Sequence, residues 1–150
     1  MTHNVTRYAT EETRNNERMV SAFLEKAWNV EILDRGHYDP IDWDIIEDGE
    51  QIGVIELKSY NRYASKDPVT ICNVRKYIAL RDWNLETDMP AIYMVNFLDE
   101  IRYIDVRNIN PSHPVMGGQK GGPRSTDWEP VYQILVSSMK LLAKKGKQNG

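Results

Sequence analysis

Four ionisable side chains in two apolar stretches define the chemistry available to this chain. Glu56 and Lys58 stand two apart in Val54-Ile55-Glu56-Leu57-Lys58, and Asp42 and Asp44 stand two apart in Ile41-Asp42-Trp43-Asp44-Ile45. On a strand, residues two apart share a face. Glu56 and Lys58 therefore project together with Ile52 and Val54, while Gly53, Ile55 and Leu57 take the other face. Both faces are apolar around the pair, which marks a central strand rather than a solvated edge. Ionisable groups at a core boundary are costly unless they are paired or bind something. Carboxylates from adjacent strands can hold a hard cation such as Mg²⁺, which also keeps waters and phosphate oxygens. Such a cation acidifies bound water and stabilises charge at phosphorus. A lysine beside it can orient or activate the attacking water, or neutralise developing negative charge. The chemistry indicated is phosphodiester hydrolysis.

The elements around these residues decide which aspartate meets Glu56. Ile41 to Ile46 and Ile52 to Ser59 read as two strands of a hairpin, because Asp48-Gly49 lies between them. A two-residue loop would turn the aspartates away from Glu56. A three-residue loop, Asp48-Gly49-Glu50, pairs Glu47 with Gln51 and sets Asp42 across from Glu56, with Asp44 one step along. The longer loop is favoured because it gathers the carboxylates on one side. Upstream, Val20, Phe23, Leu24 and Ala27 recur at helical spacing within Glu11 to Trp28, and Val30 to Leu33 reads as a short strand. Downstream, Val69 to Trp83 reads as a second helix, and Ala91 to Phe97 and Ile101 to Val106 as a second hairpin. Residues 110–127 carry three prolines and two Gly-Gly pairs and read as a loop. Val131 to Val136 reads as a last strand, with a basic helix or tail over 140–150. Residues 1–10 read as a flexible N-terminus. The order predicts one α/β domain over 1–150, a mixed sheet flanked by α-helices.

Bulk properties fit this. The 150 residues are 41% hydrophobic and 27% charged, enough for one core without disulfides. The single cysteine, Cys72, suits a reducing cytoplasm. No apolar run is long enough to span a membrane, so a cytoplasmic location with no membrane partner is expected. The formal net charge of -3 argues mildly against a nucleic-acid ligand. Cation-binding carboxylates, however, offset basic residues in that count.

Taken together, Asp42 on one strand and Glu56-Leu57-Lys58 on the next resemble the core motif of the PD-(D/E)XK nuclease superfamily, with Asp44 the alternative motif aspartate. The similarity extends in order over residues 11–107 and includes small stand-alone nucleases of the phage and Holliday-junction-resolvase kind. It departs in two places: Asp39-Pro40 reverses the family dipeptide, and Asp44 is a second aspartate beside Asp42. The resemblance implies a restriction-endonuclease-like core, a DNA substrate, and Mg²⁺ with Mn²⁺ as substitute. It implies that Glu17, on the first helix, joins Asp42, Glu56 and Lys58 in catalysis, and that Asp42 and Glu56, with Asp44 as a further candidate, bind the metal together with the Leu57 carbonyl. Lys76 falls where the family often places a basic residue near the site, which makes it a candidate DNA contact. A resolvase-like enzyme would also be a homodimer, with two sites across a two-fold axis.

Other candidates come from position. Arg62 and Lys66 follow the motif strand and can meet phosphates, as can Lys120 and Arg124 among the glycines of the long loop. His3, His37 and His113 show no ligand spacing. The 4 tryptophans and 8 tyrosines are read as packing residues, with no base stacking assigned. Two other readings compete with the nuclease. One is a DNA-binding or assembly module of the same fold without catalysis; the other is a structural subunit with an internal Glu56–Lys58 ion pair.

Overall fold

In the computed structural model, residues 11–118 and 128–146 are described. The expectations for residues 1–10, Lys120, Arg124 and Lys147 lie outside them. The chain begins with α1 (Glu11–Trp28), whose buried Val20 and Leu24 are one turn apart. Asn29 ends it at φ 56, the left-handed conformation common just past a helix. The Glu25 carboxylate then accepts the Ile32 N–H at 2.8 Å, which ties α1 to the first strand.

That strand, β1 (Glu31–Asp34), pairs antiparallel with β2 (Trp43–Glu47), which pairs antiparallel with β3 (Glu50–Ser59). Next come β4 (Val69–Asn73), α2 (Val74–Thr87), β5 (Ala91–Asn96) and β6 (Glu100–Asp105). The remainder is β7 (Val115–Gly118), β8 (Trp128–Leu135) and β9 (Lys140–Lys144). Six strands form the main sheet in the order β1-β2-β3-β5-β6-β9, and three form a second sheet, β4-β8-β7. Among the described residues only β3 and β5 run parallel, so the main sheet is mixed. One face packs Trp43, Ile45, Ile55, Leu57 and Met94 against Val20 and Leu24 of α1. The other packs Val54, Tyr93 and Val95 against Tyr77 and Leu80 of α2 and Ile134 of the small sheet.

Several elements differ from the sequence reading. The segment expected as one helix from Val69 divides: β4 pairs with β8, and Asn73 caps α2 by accepting the Arg75 N–H at 2.8 Å. Within the expected loop, Val115–Gly118 pairs with β8. The segment expected as a basic helix or tail begins as β9, which pairs with β6 at the sheet edge. Its Lys-Leu-Leu-Ala-Lys pattern meets β6 with a register shift. The hairpin turn is also shorter than expected. Glu47 pairs with Glu50 around a two-residue Asp48-Gly49 turn, both with positive φ. A bulge then slips the register by one, so that Asp44 faces Val54 and Trp43 faces Ile55. The expected juxtaposition of Asp42 with Glu56 results, by a different route.

Gly53 is required where β3 passes the loop into β5. A Cβ there would lie 2.8 Å from the Pro90 carbonyl oxygen and 3.3 Å from Ile45 Cδ1. That carbonyl accepts the Val54 N–H at 3.1 Å, so it cannot move freely. Gly53→Ala is expected to destabilise the fold by about 1–3 kcal/mol, measured as a lower denaturant midpoint at unchanged m-value.

Candidate active site

The alternation of β3 turns Glu56 and Lys58 toward α2, on the face of Val54. Glu56 is 6% exposed. Its Oε2 meets the Lys76 ammonium at 3.1 Å, while its Oε1 is buried without a hydrogen-bond partner. Lys76 also donates to the Pro40 carbonyl at 2.9 Å, so one α2 side chain joins Glu56 to the segment leading into Asp42. Asp42 ends that segment just before β2, and its Oδ2 accepts the Leu57 N–H at 2.9 Å. In a strand the N–H and C=O of one residue point the same way. The Leu57 carbonyl therefore faces the same gap beyond the end of β2.

Burial governs the charges here. It pushes the Glu56 carboxyl up to about 8, reinforced by the neighbouring Asp42 charge and opposed by Lys76. Burial also raises Asp42, against the hydrogen bond from Leu57 and the field of Lys76. Both shifts describe carboxylates short of positive charge.

Glu17 approaches from α1, on the opposite face of the sheet. Burial raises its carboxyl, and the charges of Asp42 and Asp34 raise it further. It lines a cavity of about 220 Å³ with Arg14, Arg18, Ile32, Asp34 and Trp43. Asp34 is an acidic neighbour that sequence reasoning missed; its pairing with Trp43 at the end of β1 puts it beside Glu17. The available signal was its position, closing a strand next to the motif aspartate.

The remaining candidates divide. Asp44 does not face the gap with a free carboxylate: its Oδ1 takes hydrogen bonds from Arg35 and Gln51. Arg35 also pairs with Asp39 at 3.2 Å and gives its N–H to the Asp42 carbonyl at 3.0 Å. Asp44 thus braces the loop that carries Asp42. Lys58 does not touch Glu56 in an ion pair; its Nζ lies 5.6 Å from the centre of the Tyr60 ring. The internal pair imagined for Glu56 and Lys58 is instead Glu56 and Lys76. Arg62 is exposed, 3.7 Å from Asp67, and Lys66 is exposed over the Tyr63 ring.

Among the described residues no group of three or more His, Cys, Asp or Glu forms a ready metal cage. Two carboxylates and a carbonyl edge still suit Mg²⁺, which is commonly held by one or two carboxylates with water and substrate phosphate. The orphaned Glu56 Oε1 is the observation that fits a cation.

Comparison with known proteins bears on the family and the fold. The chain matches the family described as "Phage putative PDDEXK endonuclease" over residues 3–142. It belongs to that family, a class of nucleases. Among solved structures it is similar to Hjc of Archaeoglobus fulgidus, a Holliday junction resolvase from an archaeal hyperthermophile. The TM-score is 0.58 at 12% identity, over 85% of this chain and 88% of that one. At that identity the likeness concerns the fold, a restriction-endonuclease-like core. No curated protein matches the sequence. No helix among the described residues is long and apolar enough to cross a membrane.

Proposed function

We propose that this protein is a divalent-cation-dependent nuclease that hydrolyses DNA phosphodiester bonds, acting in the cytoplasm. The observation that carries the reading is the level placement of Asp42 and Glu56 with an unpartnered, buried Glu56 Oε1 and Lys58 two residues on. Asp42, Glu56 and the Leu57 carbonyl would hold Mg²⁺, or Mn²⁺ in its place, which supplies positive charge to the phosphate and acidifies water. Lys58, half-exposed at the mouth, orients the attacking water and balances charge as it develops on the phosphate oxygens. Glu17 acts from the other side of Asp42, taking a proton or steadying a water. Asp44 holds Arg35, and through it the Asp42 loop. Lys76 lies against the Glu56 carboxyl when no cation is present. Arg62 and Lys66 meet the DNA backbone, as do Lys120 and Arg124 in the glycine-rich segment. A homodimer would place two such sites on one substrate.

Metal titration tests the site directly. Asn at position 42 can still accept the Leu57 N–H but carries no charge. Asp42→Asn should therefore keep the fold and weaken Mn²⁺ binding by about tenfold or more, since even residues behind the ligands cost that much. Calorimetric titration showing equal Mn²⁺ affinity in parent and variant would remove Asp42 from the site.

The Glu56–Lys76 contact favours a second reading, a DNA-binding or assembly module in which the pair is structural. In that case, replacing both by apolar residues would be neutral or stabilising and leave function intact.

A further inference from the structure

Tyr38 is 95% exposed, the most exposed large apolar side chain among the described residues. It does not sit on a slack loop. Gly36, at φ +118, turns the chain, its carbonyl accepts the Asp39 N–H at 3.2 Å, and the Arg35–Asp39 ion pair closes the turn. Tyr63, 46% exposed, is held out in a similar way. Its carbonyl accepts the Lys66 N–H at 3.1 Å, and the Asp99 carboxylate takes the Ala64 and Ser65 N–H groups at 2.7 and 3.2 Å. Two hydrogen-bonded turns thus hold aromatic rings outward, Tyr38 edge-to-face with His37 and still 95% exposed, where burying them would be favourable.

Both turns leave the same end of the main sheet. Residues 35–42 join β1 to β2 beyond the Asp34–Trp43 pair, and residues 60–67 follow β3 beyond Ser59. Asp42 closes the first of these segments, and Glu56 and Lys58 lie on β3 just before the second. Lys66 stands 5.2 Å from the centre of the Tyr63 ring, and Arg62 is exposed on the same turn. Aromatic rings interleaved with cations suit unpaired nucleotides, whose bases stack on the rings while the cations follow the phosphates. A paired duplex keeps its base faces inside the stack and offers the rings little.

We propose that Tyr38 and Tyr63 are stacking platforms for unpaired bases flanking the cleaved phosphate, so that the substrate is DNA with a single-stranded segment at the scissile bond. This rests on the DNA-cleaving reading above. It departs from the sequence reading, in which tyrosines were packing residues.

The test uses the Glu56→Gln protein in chelator, which should bind DNA without cutting it. Fluorescence anisotropy is measured with a single-stranded oligonucleotide, a gapped duplex and a fully paired duplex. Tyr38→Ala and Tyr63→Ala should each weaken binding to the first two by about tenfold, with an unchanged salt slope and little effect on the paired duplex. Tyr38→Phe should restore affinity. Lys66→Ala should instead lower the salt slope by about one on all three DNAs. A 2-aminopurine in the gap should be quenched on binding, and less so in Tyr38→Ala. Equal losses on paired and unpaired DNA, or none, would overturn the stacking role. If the ring variants bind gapped DNA normally while wild-type protein cuts duplex, only this inference fails. If no DNA form is bound at low salt, the nuclease reading fails with it.

Discussion

Glu56→Gln is expected to abolish cleavage while making the metal-free protein more stable. The cause of both effects is the same burial. In the folded protein without metal, Glu56 is raised from 4.5 to about 8. Over that interval the native state holds a proton that the unfolded chain has released. The associated stability is full below the unfolded value and is lost as pH rises through the folded one. At pH 8 the cost is on the order of 3–5 kcal/mol, and glutamine, uncharged at every pH, removes it. In chelator, the melting temperature of Glu56→Gln should exceed that of the parent by roughly 10 °C at pH 8, narrowing to a small difference at pH 5. Cleavage in Mg²⁺ should fall by about 10³-fold, because the site loses a charged metal ligand and with it the cation that stabilises charge at phosphorus. A melting difference independent of pH would mean that Glu56 is not held neutral by burial.

Lys58→Met should separate catalysis from metal binding. Lys58 is half-exposed and touches Tyr60 through its ammonium rather than through a buried pair. Its removal leaves no orphaned charge, and methionine retains the stem. The folded state and Mn²⁺ affinity should be unchanged, while the cleavage rate constant falls by about 10²–10⁴-fold, the usual worth of a positioned proton-transfer group. Single-turnover kinetics at saturating protein measure this directly. If the loss appears only in DNA affinity, Lys58 is a phosphate contact and Lys76 becomes the better candidate for the catalytic lysine.

The site was legible in the sequence where chemistry and local geometry coincide. Period-two alternation put Glu56 and Lys58 on one face, and an Asp-Gly turn brought Asp42 level with Glu56. The turn is nevertheless two residues long, with a bulge in β3 correcting the register. No residue preference distinguishes that from a three-residue loop. Helix α1 was legible to its ends because its apolar spacing is regular. Strand β4 was not: Val69 to Asn73 is apolar enough to extend the helix pattern, and only pairing with β8, distant in sequence, makes it a strand. The same holds for β9, whose partner lies on β6. The Glu56–Lys76 contact and the proximity of Asp34 to Glu17 depend on how helices cross the sheet. Neither follows from spacing along the chain. Asp44, two residues from Asp42 in sequence, is drawn away by Arg35, a pairing across a loop.

The most direct test of the account is a cleavage assay on linear, nicked, gapped and four-way DNA, run with Mg²⁺, with Mn²⁺ and with chelator. Wild-type protein should cut at least one of these substrates in either metal and none in chelator, and Glu56→Gln should cut none under any condition. Cleavage that persists in chelator, or that survives Glu56→Gln, would contradict the assignment of this site.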